Sequence, residues 1–150
     1  MSNKSAVDDF IAQDTLAVVG VSRNKVKFGN VIYKTLKEKG YHVFPINPNA
    51  ESILGDRCYP NLTSLPEKVD GVVVVVPPAQ TEQVVKDAKS AGIQRVWMQH
   101  GAASAAAIRF CQENGLQEVH GECIIMFAAP KQFPHSMHRW VWGLIGKLPK

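Results

Sequence analysis

The chain has 150 residues, room for one domain that buries roughly two-thirds of its unfolded surface, so folding requires no disulfide or metal staple. A hydrophobic share of 45% and a charged share of 20% exclude a disordered composition. The 17 basic and 13 acidic side chains leave a formal charge of +4, which suits an anionic ligand but lacks the dense basic blocks with interleaved aromatics of a nucleic-acid binder.

Residues 1–14, "MSNKSAVDDFIAQD", are expected to form an N-terminal helix. Their acidic residues stand where a signal peptide needs an apolar core, so no leader is expected. Three cysteines, Cys58, Cys111 and Cys123, are an odd number without metal-ligand spacing. They argue against a disulfide framework or a metal site and point to a reducing, cytoplasmic setting.

From residue 15 a grammar repeats: a helical pattern, a glycine, then a strand-like run. "LKEKGYHVFPI", "AKSAGIQRVWM" and "CQENGLQEVHG" place Gly40, Gly92 and Gly115 where a left-handed residue closes a helix. Val31, Ile32 and Leu36, then Val84, Val85 and Ala88, then Ala107, Ile108 and Cys111 form the buried stripes of three helices. Strands are predicted over 16–19, 43–46, 72–76 and 96–98, with a weaker one over 118–120. Their near-continuous apolar runs mean burial on both faces, hence a doubly wound α/β domain of three α/β/α layers with a mostly parallel sheet. The run at 72–76 is too short to span a bilayer.

The stretch between residues 47 and 70 is rich in Pro, Asn and Gly and has no long periodic segment. It reads as loop, with a short strand near 57–59 and a helical turn at 64–67 in place of a crossover helix. After the domain proper, 15–126, the tail 127–150 carries Met137, Trp140, Val141, Leu144, Ile145 and Leu148 at helical spacing. It is expected to be an amphipathic helix docked on the sheet or on a second subunit, and offers a homodimer contact or a surface for a protein partner. His135 and His138 are three apart but have no evident third metal ligand, and read as helix surface.

In such sheets ligands lie outside the carboxyl ends of the strands. The first such loop, "GVSRNKVKFGN", turns at Gly20, offers the Ser22 hydroxyl, and carries Arg23, Lys25 and Lys27. A helix opening at Phe28 aims free N–H groups and a positive dipole end at the same point, with Gly29 allowing close approach, so the loop reads as a pyrophosphate site. It is neither a dinucleotide fingerprint, since Ser22 and Lys25 stand where the second and third glycines belong, nor a Walker loop. The second strand ends in Asn47, Pro48 and Asn49, where NAD expects an acidic ribose clamp. Pro77 and Pro78 withhold two donors and suit an apolar wall. Gln99, His100 and Gly101 follow the fourth strand, and Cys123 lies just past the fifth with no activating base at a telling spacing.

Taken together, "VVGVSRNKVKFGN", "GYHVFPINPN", "ILGDRCYPNL", "VDGVVVVVPP", "VWMQHGA" and "GECIIM" resemble, in order and spacing, the stand-alone bacterial CoA-binding proteins. Their domain is similar to the CoA-binding domain of the succinyl-CoA synthetase alpha subunit. The resemblance implies a Rossmann-like domain with CoA across the strand ends. It assigns Gly20, Ser22, Arg23, Asn24 and Lys25 to the phosphate loop, with Lys27, Phe28, Gly29 and Asn30 opening the helix. Asn47, Pro48 and Asn49 match the segment near the nucleotide, Val76, Pro77 and Pro78 the loop beside adenosine or pantetheine, and Gln99 and Gly101 a "QxG" turn. The synthetase's phosphorylated histidine belongs to a second domain, so ligase chemistry is not carried over.

The expected function is therefore that of a non-catalytic, cytoplasmic CoA or acyl-CoA binding protein, whose ligand's acyl end approaches Cys123 or His100. No nucleic-acid or membrane partner is expected. The rival readings are a small enzyme using NAD(P) or another nucleotide, and a regulatory or scaffolding module with a vestigial pocket.

Overall fold

The computed structural model describes residues 4–22 and 27–128. In chain order they form α1 (Lys4–Ile11), β1 (Thr15–Val19), α2 (Phe28–Glu38), β2 (His42–Ile46), the two-residue strands β3 (Ser52–Ile53) and β4 (Asp56–Arg57), and a 3₁₀ turn at Leu62–Ser64. There follow β5 (Gly71–Val74), α3 (Pro78–Ser90), β6 (Arg95–Gln99), α4 (Ala105–Glu113), β7 (Gln117–Glu122) and a second 3₁₀ turn at Ile124–Met126. Residues 129–150 of the tail, with the apolar run from Met137 to Leu148 and with His135 and His138, lie outside the described residues.

Five strands form one sheet in the order β2-β1-β5-β6-β7, every neighbouring pair parallel. Alternate residues of these strands feed two cores. Leu16, Val18, Val73, Trp97 and Val119 meet α1 and α2 on one face. Ala17, Val72, Val74, Val96 and Met98 meet α3 and α4 on the other. This is the Rossmann-like, three-layer α/β arrangement that buried, unalternating strands require.

The helices follow their apolar stripes. In α2 the stripe runs through Asn30, Ile32, Tyr33 and Leu36, which leaves Val31 on the outside, 42% exposed. Gly40, Gly92 and Gly115 close α2, α3 and α4 at φ of 99°, 79° and 72°, as left-handed caps do. The N-terminal helix α1 lies on the sheet, with the Phe10 ring edge-on to Trp97 at 5.4 Å. Its Asp9 accepts hydrogen bonds from Arg95 Nε at 2.7 Å and Gln117 Nε2 at 2.6 Å, at the amino ends of β6 and β7. Tyr41 donates to the Ile11 carbonyl at 2.6 Å.

Two local expectations shift. The valine run leaves the sheet at Val74, its last ladder bond being Val75 N–H to the Val19 carbonyl at 2.8 Å. Val75 and Val76 then line the carboxyl edge instead of extending the strand. The missing crossover helix is replaced by a strap: the β3–β4 hairpin turns at Leu54 and Gly55, both at positive φ, and the helical turn falls at Leu62–Ser64.

The strap wraps the open edge of β2. Ile53 and Cys58 pack on the α2 face, Leu62 packs on the α3 face, and Tyr59 between them bridges Ile46. Tyr59 N–H donates to the Pro45 carbonyl at 3.0 Å, and its own carbonyl accepts from Asn47 N–H at 2.9 Å. Pro45 is tolerated in β2 because its missing N–H faces this outer edge, where no ladder bond is lost. Asp56 pins the hairpin to α2, accepting from Tyr33 Oη at 2.5 Å and pairing with Lys37.

Asp9 and Asp56 are both held below the ordinary value of 3.8, Asp9 chiefly by the Arg95 guanidinium and Asp56 chiefly by the Lys37 ammonium. A depressed carboxyl contributes stability that is complete above its unfolded value and is lost as pH falls through the folded one. These side chains are 40% and 34% exposed, so the contribution is modest. The urea midpoint is expected to fall below about pH 4, and to fall less steeply in the Asp9→Asn/Asp56→Asn double variant. An identical acid limb would remove both pairs from the account.

Candidate functional site

The chain leaves β1 for β2 on one side, while β5 lies on the other, so the strand order reverses at the carboxyl ends of β1 and β5. Neighbouring connections diverge there and leave a crevice. A cavity of about 690 Å³ occupies that point. Its walls are the ends of β1, β2 and β5, the strap at Pro60, Asn61 and Leu62, and one face of α3.

The floor is set by a close approach. Gly20 turns at φ +126°, and a Cβ there would stand 2.6 Å from the Val75 carbonyl oxygen. A Cβ on Gly29 would stand 2.1 Å from the Gly20 carbonyl oxygen. The first turn of α2 therefore rests directly on the end of β1. Gly29 does the packing work of a fingerprint's third glycine, nine residues after Gly20 instead of five. Asn30 locks the arrangement: almost fully buried, it accepts the Ser22 N–H at Oδ1 and donates from Nδ2 to the Ser22 carbonyl, both at 2.7 Å.

Asn47 ties the second wall to the first. Its Nδ2 donates to the Val21 carbonyl at 2.8 Å and its Oδ1 accepts the Asn49 N–H at 2.6 Å. Two helix N-termini border the cavity, and they differ. α2 begins after Lys27 with no side-chain cap; Asn30 N–H bonds the Lys27 carbonyl at 3.0 Å, and the Phe28 and Gly29 N–H groups have no partner among the described residues. α3 begins with Pro77 and Pro78, which carry no N–H. The positive end of the cavity is therefore at α2.

Of the residues singled out from the sequence, Gly20, Ser22, Lys27, Asn47, Pro48, Asn49, Val76 and Pro77 line the cavity together. Arg23, Asn24 and Lys25 lie outside the described residues. Phe28, Gly29 and Asn30 stand off the lining, the last two as the packing and clamp just described. Pro78 is the first residue of α3. Gln99 is buried, its Oε1 accepting the Ile124 N–H at 3.0 Å. His100 is exposed, with its N–H on the Glu122 carbonyl at 3.1 Å, and Gly101 makes the following turn at φ 90°. Cys123 is half-buried ahead of the second 3₁₀ turn. These four belong to the ends of β6 and β7, beside the cavity and not in it.

Sequence reasoning missed the far wall: Pro60, Asn61 and Leu62 from the strap and Gln80, Gln83 and Asp87 from α3. The spacing of 80, 83 and 87 marks one helix face, and that was the available signal. The titratable side chains of the described lining are Lys27 and Asp87. Burial pushes the Cys58 thiol up and the Cys111 thiol up to about 12, so both are protonated and inert at neutral pH. Among the described residues no group of three His, Cys, Asp or Glu could hold a metal ion, and no helix is long and apolar enough to cross a membrane.

The family described as the CoA binding domain matches residues 14–129. The chain is 30% identical over 121 residues to ADP-forming acetate–CoA ligase I of Archaeoglobus fulgidus, a match covering 74% of this chain and 18% of the ligase. The chain thus spans less than a fifth of that relative's length. Among solved structures, a conserved hypothetical protein from Pyrococcus furiosus is 42% identical, with a TM-score of 0.72 over 75% of this chain and 97% of the other. A hypothetical protein from Pyrococcus horikoshii is 30% identical, with a TM-score of 0.78 over 83% and 88%.

The Asn30 clamp makes a specific prediction. Asn30→Asp keeps the acceptor for Ser22 N–H but sets a carboxylate against the Ser22 carbonyl, and should cost about 2–3 kcal/mol at pH 7. Acidification restores a donor by protonating the carboxyl, so the deficit against wild type should shrink toward pH 4 in urea melts. A deficit independent of pH would show that the donor half of the clamp is dispensable.

Proposed function

The chain belongs to the CoA binding domain family, and from that premise we propose that it binds CoA or acyl-CoA without catalysis, with the ligand's diphosphate at the β1–α2 loop. The observation that carries this reading is the polarity of the cavity at the strand-order reversal. Its α2 end combines Lys27 with the positive dipole end of a helix that has no side-chain cap, and Arg23 and Lys25 belong to the same loop in sequence. Diphosphate is the chemistry such an end favours. The β2 end presents Asn47, Pro48 and Asn49 and no carboxylate to clamp a ribose diol, which speaks against NAD.

The non-catalytic part of the proposal rests on the lining. Its described residues include no histidine or cysteine, and Lys27 and Asp87 come from separate elements. Among the described lining residues a nucleophile with an adjacent base, as covalent catalysis needs, is not assembled. The family's larger relatives that act as ligases carry this region as a small fraction of their length, and their chemistry is not transferred to this chain.

Isothermal titration and thermal melts with CoA and NAD test the reading. At a hundred times its dissociation constant, CoA should add roughly 2.7 kcal/mol to stability, and NAD should add far less. Lys25→Glu and Lys27→Glu should each weaken CoA about tenfold, or 1.4 kcal/mol, by placing a carboxylate beside the diphosphate, with the melting temperature of the free protein unchanged. A response to NAD with none to CoA overturns the proposal.

A further inference from the structure

The cavity is charged at both ends, with opposite signs. Lys27 stands at the α2 end, while Asp87 is the carboxylate of the described lining and sits on α3 beyond Gln80 and Gln83. A phosphate is repelled from the Asp87 end, which favours a neutral part of a ligand that offers a hydrogen-bond donor.

Gln83 and Asp87 are four residues apart on α3 and face the cavity together. Gln83 Nε2 donates to Asp87 Oδ1 at 2.9 Å. That bond fixes the orientation of the amide and uses one N–H and one carboxylate oxygen. The second Gln83 N–H and Asp87 Oδ2 have no partner among the described residues. The pair thus presents one donor beside one acceptor. Around it, Leu62 and Pro60 of the strap and Val84 of α3 supply apolar surface for a flat ring. From Ala79, at the mouth of α3, to Asp87 the helix rises about 12 Å, room for a ribose and a base beyond a diphosphate held at the α2 end.

We infer that the Gln83–Asp87 pair reads the base of the bound nucleotide, Gln83 donating to N1 of adenine and Asp87 accepting from its 6-amino group. This rests on the CoA reading above and adds a specificity determinant to it. A site built around a ligand N–H discriminates against an analogue lacking it, because its own polar groups are then left unpaired.

The probe is 1,N6-etheno-CoA, in which the added ring blocks both N1 and the 6-amino group. By isothermal titration wild type should bind CoA at least about tenfold more tightly than the etheno analogue. In the Gln83→Ala/Asp87→Ala double variant CoA should lose about that factor and the analogue should change little, so that the preference disappears. Both side chains are accessible to solvent, and the variant should melt like wild type. Equal affinity of wild type for the two ligands overturns the inference without any variant. So does a double variant that binds CoA as tightly as wild type, since the wild-type preference would then be steric. Failure of wild type to bind CoA at all would strike the parent reading instead.

Discussion

The carboxyl edge of this domain depends on the contact between the first turn of α2 and the end of β1. Gly29 sits where any side chain would collide with the Gly20 carbonyl, and Gly20 turns where any side chain would collide with Val75. Two missing Cβ atoms let three elements meet at one point. Asn30 then closes the gap by satisfying both the N–H and the carbonyl of Ser22 in a buried place, where unpaired groups would cost more than the bonds themselves return. The result is a helix N-terminus held at the strand-order reversal, with its N-cap residue Lys27 on the cavity wall.

The strap answers a different constraint. The chain must travel from β2, at the sheet's edge, past β1 to β5, and here it does so without a helix. The hairpin covers the α2 side, Tyr59 adds a single parallel bridge to the edge, and Leu62 anchors the α3 side. Asp56 holds the hairpin through Tyr33 and Lys37. One consequence is protective, since β2 offers less unpaired edge for another chain to extend. The other is functional: the outgoing end of the strap becomes a wall of the cavity. A crossover helix would have put a different surface there.

Electrostatics gives the cavity a direction. A helix start with no side-chain cap and a lysine lies at one end, Pro77 and Pro78 withhold two donors at the start of α3, and a carboxylate marks the far end. An elongated ligand with phosphates at one end and hydrogen-bond donors at the other has one favourable orientation in such a field. The proposed CoA reading and the base-reading pair both draw on this polarity.

Most of the layer structure was legible in the chain itself. Continuous apolar runs can only be strands buried on both faces, and the three helix-closing glycines mark where each helix must stop. These are local rules of backbone and burial, and they are read one segment at a time. The β1–α2 loop was also legible as a cluster of Gly, Ser and basic residues after a strand, though the purpose of Gly29 and Asn30 was not. A glycine placed for helix packing and one placed for ligand approach look the same until the atom opposite the missing Cβ is known. The valine run ended two residues early because the ladder on β1 ends at Val19, which is a property of the neighbour and not of the run. Gln83 and Asp87 carry no motif; on α3 they read as an ordinary solvated i, i+4 pair. The sequence by itself therefore determined the layers, the strand-end loops and the positive charge of the first of them, because each follows from local periodicity and composition. Only the tertiary structure decided which loop ends share a cavity and which side chains are spent on holding it together, because that depends on strand order, on the route of the strap and on distances between segments far apart in the chain.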